Sequence, residues 1–357
     1  MLAYQFTTWE QDFELQEMPT PEPGPGETLI RVAGAGVCHS DLYLCDWPRS
    51  SLPSYELPFT VGHEITGWVE SSGPGGSDLP VGTPVAVYGA WGCNTCPQCA
   101  EQSENYCENA AAVVASGPGR PGLGRDGGIA EFFLAPQSRH LVPLPAGLDP
   151  VEAAPLTDAG LTTYHAIKQQ LDRLHPGTTA VVIGIGGLGS LAVQILRALS
   201  AARVIAVDIA SDRLEAARRQ GAHHAVLADE SAPGAIREAT GGRGAELILD
   251  IVGTDDTLAL AASAAAIRGH ITVVGIGPGS FPMGYVHVPR GLSASTVFWG
   301  AIPDLAEVVA LAGTGAIRSD TERFSMQQAP LAYRKLREGT LKGRAVVVPH
   351  GAEVNLP

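Results

Sequence analysis

Residues 179–200 read TAVVIGIGGLGSLAVQILRALS, and they carry the clearest indication of the fold in this sequence. A strand-length apolar run leads directly into a G-x-G-x-x-G turn, formed by Gly184, Gly186 and Gly189, and an apolar helical run follows. The first glycine allows the tight turn, the second lets the backbone approach a pyrophosphate, and the third lets the helix pack closely on the strand. Because a helix N-terminus also attracts phosphate, the stretch predicts a dinucleotide-binding strand–turn–helix unit.

An acidic residue stands where such a unit needs one. Asp208 ends the next apolar run, RVIAVD, 19 residues after Gly189. A carboxylate at this point can bind both hydroxyls of an adenosine ribose, and it would repel a 2′-phosphate, so NAD is favoured over NADP. The alternative is that Asp208 is a solvated residue in a turn at the end of a strand.

Strand-like and helix-like segments alternate through the middle of the chain. Six candidate strands occur between residues 179 and 300: TAVVIG, RVIAVD, AVL, ELILDIV, HITVVG and TVFWG. With helical runs such as SDRLEAARRQG between them, they predict an α/β fold in which a doubly wound parallel sheet of six strands carries helices on both faces. Ahead of it, VEAAPLTDAGLTTYHAIKQQL (151–171) has helical spacing.

The regions on either side of this alternating segment have a different pattern of predicted strands and helices. Residues 1 to about 150 contain short β-rich runs broken by glycine and proline, which predict a compact, loop-rich β domain. After residue 300 come two helical runs and a last strand, GRAVVVP, which the parallel sheet does not need. We expect a first domain over 1–158, a coenzyme domain over 159–300, and a return segment, 301–357, that completes the first domain.

Composition narrows the class of protein. The 357 residues carry a formal net charge of −14, without a basic stripe that could follow a phosphate backbone, so nucleic acid is not an expected partner. The N-terminus lacks the pattern of a signal peptide, and no run approaches the roughly 18 apolar residues that span a bilayer, so no membrane association is expected. These features favour a cytoplasmic protein, and a length of 357 residues favours two domains.

Four cysteines form a compact pattern. Cys93, Cys96, Cys99 and Cys107 are spaced C-x2-C-x2-C-x7-C. Four thiolates in one short loop suit tetrahedral zinc and leave no position for a substrate, so the pattern predicts a structural metal. An iron–sulfur cluster and four free buried thiols are the alternatives.

Two further segments carry metal-ligating residues. Cys38 lies in GVCHSD, and His63 and Glu64 lie in GHEITG. Neither Cys38 nor His63 alone indicates a function, but each has a polar neighbour that could support a bound metal ion. Cys45 lacks such neighbours, and no role is assigned to it.

Taken in order, these motifs resemble those of the zinc-dependent medium-chain alcohol dehydrogenases. GVCHSD, GHE-x2-G-x5-G, the four-cysteine loop and GxGGLG occur at the expected distances, and the resemblance covers essentially the whole chain. It implies a GroES-like catalytic domain, a Rossmann coenzyme domain and an active site in the cleft. The stretches AVYGAWGC, APLTDAGLTTYHA and FWG are most similar to bacterial NAD-dependent secondary-alcohol dehydrogenases and carbonyl reductases.

The resemblance also implies a catalytic zinc site. Its ligands would be Cys38, His63 and Asp158, where many relatives have cysteine in place of the aspartate. Cysteinate, neutral histidine and aspartate together carry −2, which compensates a zinc ion. Glu64 is a competing ligand. The alternative for Asp158 is an acid that only stabilises the first turn of a helix.

Supporting roles are implied in the same way. Ser40 would bond the substrate oxygen, Asp41 would hold His63, and His39 would lie near the pyrophosphate. The implied coenzyme-binding set is His39, Thr162, Gly184, Gly186, Gly187, Leu188, Gly189, Asp208, Arg213, Val252, Gly275, Ile276, Trp299 and Arg344. Arg213 could equally be a solvated helix arginine.

The implied substrate pocket is apolar, with Tyr43, Tyr55, Leu123, Ile276 and Trp299 near the zinc. Burial of hydrocarbon in such a pocket would favour secondary alcohols and ketones over sugars as substrates. The implied cofactors are NAD and two zinc ions per chain. Tyr55 could instead be a core residue. Tyr43 stands where many relatives have a proton-relaying histidine.

Other functions remain open at this point. They are a polyol dehydrogenase, a zinc-free quinone or enone reductase of the same fold, and an NAD-sensing or zinc-loop binding protein without turnover. The family resemblance also implies a homo-oligomer, either a tetramer or a dimer.

Overall fold

The computed structural model describes residues 1–52, 54–116 and 119–351. The chain divides into two compact units. The first, here the catalytic unit, comprises Met1–Asp158, Ala301–Gly315 and the described chain from Ser319 onward. The second, here the coenzyme unit, comprises Ala159–Gly300 and Ala316–Arg318.

Strands and helices are numbered in chain order. The strands are β1 (Leu2–Phe6), β2 (Glu14–Glu17), β3 (Thr28–Gly36), β4 (Phe59–Thr60), β5 (Glu64–Ser72), β6 (Pro84–Val87), β7 (Arg120–Pro121), β8 (Gly124–Arg125), β9 (Phe132–Ala135), β10 (Leu141–Pro143), β11 (Thr179–Ile183), β12 (Arg203–Asp208), β13 (His224–Leu227), β14 (Ala245–Asp250), β15 (Ala265–Val273), β16 (Ser293–Thr296), β17 (Thr321–Ser325) and β18 (Arg344–Val348). The helices are α1 (His39–Asp46), α2 (Pro97–Ala100), α3 (Ala110–Ser116), α4 (Pro150–Ala153), α5 (Ala159–Lys168), α6 (Gly187–Leu199), α7 (Ser211–Arg219), α8 (Ala232–Ala239), α9 (Asp255–Ala264), α10 (Ile302–Gly313) and α11 (Ala329–Arg337). Within the described residues, none of these helices has the length and apolar character needed to cross a membrane.

The coenzyme unit is built on a parallel sheet of six strands in the order β13-β12-β11-β14-β15-β16. The central strand β11 is fully buried, and Val181 pairs with Ile205 on one side and Ile248 on the other. A parallel strand covered on both faces reads as a continuous apolar run, which is why TAVVI marks it. The predicted six-stranded doubly wound fold is confirmed.

The last strand of this sheet differs from the prediction. TVFWG was expected to form it, but β16 is Ser293–Thr296, which pairs with β15 from His270↔Ser293 to Val273↔Thr296. An edge strand has one neighbour, and here alternate side chains are exposed, so its sequence is polar. The apolar residues that follow do not pair in the sheet, and Trp299 has a φ of 51°.

The catalytic unit carries a seven-stranded sheet in the order β10-β6-β5-β3-β18-β17, with β9 also paired to β3. Its strands are antiparallel except for β17 and β18. The C-terminal strand β18 lies directly beside β3, with Val346 opposite Gly36. The end of β3 therefore lies between β5 and β18, and the predicted metal-binding segments start from these strands.

The helix expected over 151–171 is interrupted. Helix α4 ends at Ala153, a 3-10 turn covers Ala154–Thr157, and α5 begins at Ala159. Asp158, at the break, has φ −131° and ψ −66°, outside the helical region. Pro155 removes a backbone donor and disfavours a regular helix around it, so the chain turns at Asp158.

Candidate active site

Four potential metal ligands from three parts of the catalytic unit converge. One donor atom from each of Cys38, His63, Glu64 and Asp158 lies within 4.8 Å of the others. Cys38 follows β3, and Asp158 lies at the helix break. His63 immediately precedes β5, and Glu64 is its first residue. The first three side chains are buried, whereas Asp158 is 16% exposed. The cluster is thus enclosed on the protein side and reachable at Asp158.

The spacing of these donors fits zinc. His63 Nε2 lies 3.4 Å from Asp158 Oδ2, and Cys38 Sγ lies 3.9 Å from the same oxygen. Tetrahedral zinc with its usual bond lengths separates nitrogen from oxygen by about 3.4 Å and sulfur from oxygen by about 3.6 Å. The two separations are therefore close to edge lengths of a zinc tetrahedron with these donors at its corners.

The ring of His63 is oriented by Asp41. His63 Nδ1 lies 3.0 Å from Asp41 Oδ1, and the backbone N–H of Cys38 donates to Asp41 Oδ2 at 3.1 Å. Burial alone would lower the pKa of His63, but the charge of Asp41 and hydrogen bonds to Asp158 and Asp41 hold it well above its ordinary value. The arrangement fixes Nε2 toward Cys38 and Asp158, as a carboxylate behind a metal-bound histidine does.

Glu64 forms a buried ion pair with Arg344 through one oxygen, Oε1. Its other oxygen, Oε2, is buried and has no hydrogen-bond partner among the described residues. Burial raises the pKa of Glu64 to about 7, against the effect of Arg344. Gly36 permits this packing, because a Cβ there would overlap the glutamate. An orphaned carboxylate oxygen in the donor cluster suits a metal ion.

Arg344 was expected near a coenzyme pyrophosphate. Its guanidinium is only 6% exposed and lies against Glu64. Its pKa is raised, although burial opposes the charge, because Glu64 and Cys38 are close. In this structure, the guanidinium of Arg344 therefore balances the negative charge of the Glu64 carboxylate.

The predicted substrate-side residues of the catalytic unit lie at different depths. Ser40 Oγ is 3.5 Å from Cys38 Sγ, at the donor cluster. Tyr43 is half-buried and stacks on Trp47 at 5.0 Å. Tyr55 packs edge-on against Phe59, and Gly124, beside the predicted Leu123, approaches its ring. His39 is exposed.

The four-cysteine loop forms a second donor cluster. Its sulfur atoms lie within 4.8 Å of one another, with distances of 3.5 Å for Cys96–Cys99, 3.9 Å for Cys93–Cys99 and 4.0 Å for Cys96–Cys107. Zinc–thiolate tetrahedra have sulfur–sulfur edges of about 3.8 Å. Hydrogen bonds, led by the Thr95 hydroxyl, lower the pKa of Cys93 to about 5. Sulfurs this close enclose a single ion more readily than a multi-metal cluster.

A buried acid that the sequence analysis missed supports this loop. Glu104 is fully buried, and its carboxylate accepts a hydrogen bond from the backbone N–H of Gly92. It also lies 3.2 Å from His140 Nε2 and forms an ion pair with Arg139. His140 stacks on Trp91 at 5.4 Å. Burial, with help from Arg139, lowers the pKa of His140 to about 3, so its imidazole is neutral. Nothing in the spacing of these residues marks them in the sequence.

In the coenzyme unit, the glycine turn has the geometry that the motif requires. Gly184 has a φ of +90°, and a Cβ on Gly189 would overlap the Gly184 carbonyl. Gly186 caps α6 and has open space where a Cβ would stand. Gly187 and Leu188 form the first turn of α6 and are half-buried. The backbone at the helix N-terminus is thus accessible to a ligand.

Asp208 lies directly beside this turn. Its carboxylate accepts hydrogen bonds from Ile185 N at 2.6 Å and Ala210 N at 2.9 Å, and Arg213 lies 3.8 Å away. It is 5% exposed. The solvated-turn alternative is therefore wrong for the side chain itself, because Asp208 fixes the glycine turn.

Two other predicted coenzyme residues, Val252 and Gly275, lie just beyond the carboxyl ends of β14 and β15. Val252 Cγ2 would lie 2.6 Å from a Cβ on Gly184, and a Cβ on Gly275 would overlap the Val252 backbone. Asp250, which the sequence analysis missed, holds this loop through Val252 N at 2.9 Å. Val252 and Ile276 are exposed, whereas Thr162 and Trp299 are buried. Gly300, next to Trp299, packs against Leu161 of α5.

Comparison with known proteins places the chain in a family. The family model for the alcohol dehydrogenase GroES-like domain matches residues 24–146, and that for the zinc-binding dehydrogenase matches residues 187–314. An NAD-dependent alcohol dehydrogenase of Sulfurisphaera tokodaii is 33% identical, covering 98% of this chain and 100% of that protein.

Two other relatives act on different compounds. A D-arabinose 1-dehydrogenase (NADP(+)) of Saccharolobus solfataricus is 32% identical over 96% of this chain and 95% of that protein. The structure of an acetophenone reductase from Geotrichum candidum, in complex with NAD, is 30% identical, covers 98% of this chain and 97% of that one, and has a TM-score of 0.81. With both domain types matched and whole-chain relatives above 30% identity, the chain belongs to the medium-chain, zinc-type alcohol dehydrogenase family, as its motifs predicted.

Proposed function

We propose that the protein is a zinc-containing, NAD-dependent dehydrogenase that interconverts secondary alcohols and ketones bearing a hydrophobic substituent. The observation that carries this proposal is the convergence of Cys38, His63 and Asp158, with the 3.4 Å and 3.9 Å separations given above. A zinc ion held by such a set supplies Lewis acidity, which polarises a carbonyl and lowers the pKa of an alcohol. A nicotinamide coenzyme supplies the hydride donor or acceptor.

The donor residues have the charge that this chemistry needs. Cys38 as thiolate and Asp158 as carboxylate contribute −2, and His63 binds through a neutral nitrogen held by Asp41. The exposure of Asp158 leaves one side of the cluster for substrate. Glu64 is the alternate ligand that we propose, because one of its carboxylate oxygens lies in the cluster and its Oε2 has no hydrogen-bond partner among the described residues.

Ser40 is the residue that we propose for proton transfer. Its hydroxyl lies 3.5 Å from Cys38 Sγ, so an oxygen bound among the metal ligands would be within its reach. A hydroxyl can both accept and donate a proton, which the two directions of the reaction require. Asp41 is a positioning residue in this scheme, since it contacts His63 rather than the reacting atoms.

The preference for NAD rests on Asp208. Its buried carboxylate lies at the glycine turn, where an adenosine ribose would bind, and it would repel a 2′-phosphate. Arg213 stands 3.8 Å from it and could balance part of the charge. The relatives include an NAD-dependent and an NADP(+) enzyme, so the preference proposed for this chain depends on its own Asp208.

The substrate class rests on the predicted lining residues Tyr43, Tyr55, Leu123, Ile276 and Trp299, which are aromatic or aliphatic. The acetophenone reductase supports a ketone substrate, whereas the D-arabinose dehydrogenase supports the polyol or sugar alternative. The test is kcat/KM for acetophenone and 2-octanone against D-arabinose, glucose and sorbitol. A higher value for the sugars or sorbitol would overturn the ketone assignment.

We further propose two zinc ions per chain, one in each donor cluster. The zinc-free quinone or enone reductase would need neither cluster. Elemental analysis of the purified protein separates them, because one zinc or none per chain would contradict the proposal. The homo-oligomer and the cytoplasmic location stay predictions, and light scattering tests the first.

A further inference from the structure

A tyrosine from the far end of the chain reaches the support of the metal cluster. Tyr333 lies on α11, in the part of the catalytic unit that follows the coenzyme unit in sequence. Its hydroxyl donates a hydrogen bond to Asp41 Oδ2 at 3.1 Å, across 292 positions of sequence. Both groups are buried. The predicted site residues do not include Tyr333.

This hydrogen bond completes the contacts of the Asp41 carboxylate. Oδ2 accepts from the Cys38 backbone at 3.1 Å and from Tyr333, while Oδ1 faces His63 Nδ1 at 3.0 Å. These three contacts among the described residues, two of them on Oδ2, restrict the rotation of the carboxylate about its Cβ–Cγ bond more than two contacts would. Without the tyrosine, Oδ2 would keep one donor, and the plane of the carboxylate could turn. His63 would then lose part of what fixes its ring.

Tyr333 is itself held firmly. Its ring packs edge-on against Phe13, with centroids 5.1 Å apart and planes at 66°. Burial and the neighbouring charge of Asp41 raise its pKa well above the ordinary value. The phenol therefore keeps its proton and remains a donor across the pH range in which the protein works.

We propose that Tyr333 is a positioning residue for the metal site: its hydroxyl fixes Asp41, and Asp41 aims His63 Nε2 at the position between Cys38 and Asp158. This inference rests on the proposed function, because it assumes a metal ion in that cluster. Tyr333, like Arg344, thereby links the C-terminal segment to a ligand set that is formed within the first 158 residues.

The test is Tyr333→Phe, which removes only the hydroxyl, with Tyr4→Phe as the matched control. Tyr4 is a buried tyrosine of the same unit and lines the same cavity of about 270 Å³ as Tyr333. No hydrogen bond joins it to Asp41 among the described contacts. Each protein is loaded with zinc and mixed with excess chelator, and the release of metal is followed with time. The four-cysteine site is the internal reference within every sample.

We expect Tyr333→Phe to release one of its two zinc ions about three- to tenfold faster than the unmodified protein. Loss of a residue that is hydrogen-bonded directly to a metal ligand typically lowers metal affinity 10- to 100-fold. The effect expected here is smaller, because Tyr333 acts on His63 through Asp41. The zinc ion of the four-cysteine loop and both ions of Tyr4→Phe should leave at the unmodified rates.

Three results would overturn the inference. They are unchanged release in Tyr333→Phe, equal acceleration of both ions, and equal acceleration in Tyr4→Phe, since the last two would indicate general loosening of the fold. In each, the unmodified protein still holds two zinc ions, so the proposed function stands. An unmodified protein that holds no zinc at Cys38 and His63 would overturn both.

Discussion

Replacing Asp208 by serine tests two roles of one carboxylate. The carboxylate accepts hydrogen bonds from the backbone of Ile185 at 2.6 Å and of Ala210 at 2.9 Å, in a site that is 5% exposed. Hydrogen bonds to a charged group are each worth about 1.5–3 kcal/mol. A serine hydroxyl can keep at most one of them, so we expect the free energy of unfolding to fall by at least about 1.5 kcal/mol.

The same change should alter the choice of coenzyme. Two unit charges 5 Å apart repel by about 3 kcal/mol at an effective dielectric constant near 20, and solvent lowers this figure. We therefore expect the unmodified protein to prefer NADH over NADPH by a factor of at least about ten, equivalent to about 1.4 kcal/mol. In Asp208→Ser the preference should approach one, because the repelling carboxylate is gone and the positive charge of Arg213, 3.8 Å from that position, would favour a phosphate.

The assay is the ratio of kcat/KM for the two coenzymes, measured on one preparation. Loss of folded protein cancels in this ratio, so the stability effect does not disturb it. Asp212→Ser is the control, because Asp212 is an exposed acid in the first turn of the same helix, α7. A ratio near one in the unmodified protein, or a ratio unchanged by Asp208→Ser, would refute the reasoning.

The remaining predictions concern the metal clusters and the acid range. Cys96→Ala should lower the unfolding temperature and remove one zinc ion per chain, whereas Cys38→Ala should abolish turnover with the fold retained; equal unfolding temperatures for Cys96→Ala and the unmodified protein would contradict this. Burial lowers the pKa of His140 to about 3 in the folded protein, whereas the ordinary pKa of about 6.5 applies in the unfolded chain. Between these values the unfolded chain binds the proton and the folded protein does not. The contribution of His140 to the free energy of unfolding is therefore complete above about pH 6.5 and falls by about 2 kcal/mol between pH 7 and pH 5. Urea unfolding at both values should show this loss in the unmodified protein but not in His140→Gln, and equal losses in the two would contradict it.

Local patterns made much of this protein predictable. The glycine turn and the four-cysteine loop are encoded by residues within one short segment, and the buried parallel strands need continuous apolar runs. The family resemblance supplied Asp158, which the structure brings to 3.4 Å from His63.

Other features depend on contacts between distant segments. Tyr333 and Glu104 act through contacts with residues distant in sequence, and the side chains around them follow no spacing that a pattern could detect. The edge strand β16 was misplaced because a strand with one neighbour needs no apolar run. The helix break at Asp158 was missed because the apolar spacing of the segment continues through Pro155.

In the proposed function, hydride transfer requires the metal held by Cys38, His63 and Asp158. The most direct measurement is the initial rate of NADH oxidation with acetophenone, taken with the zinc content of the same sample, during stepwise removal and return of the metal. We predict that the rate falls in proportion to the loss of one zinc ion per chain and recovers when zinc is returned. Undiminished turnover in protein from which both ions have been removed would contradict the account.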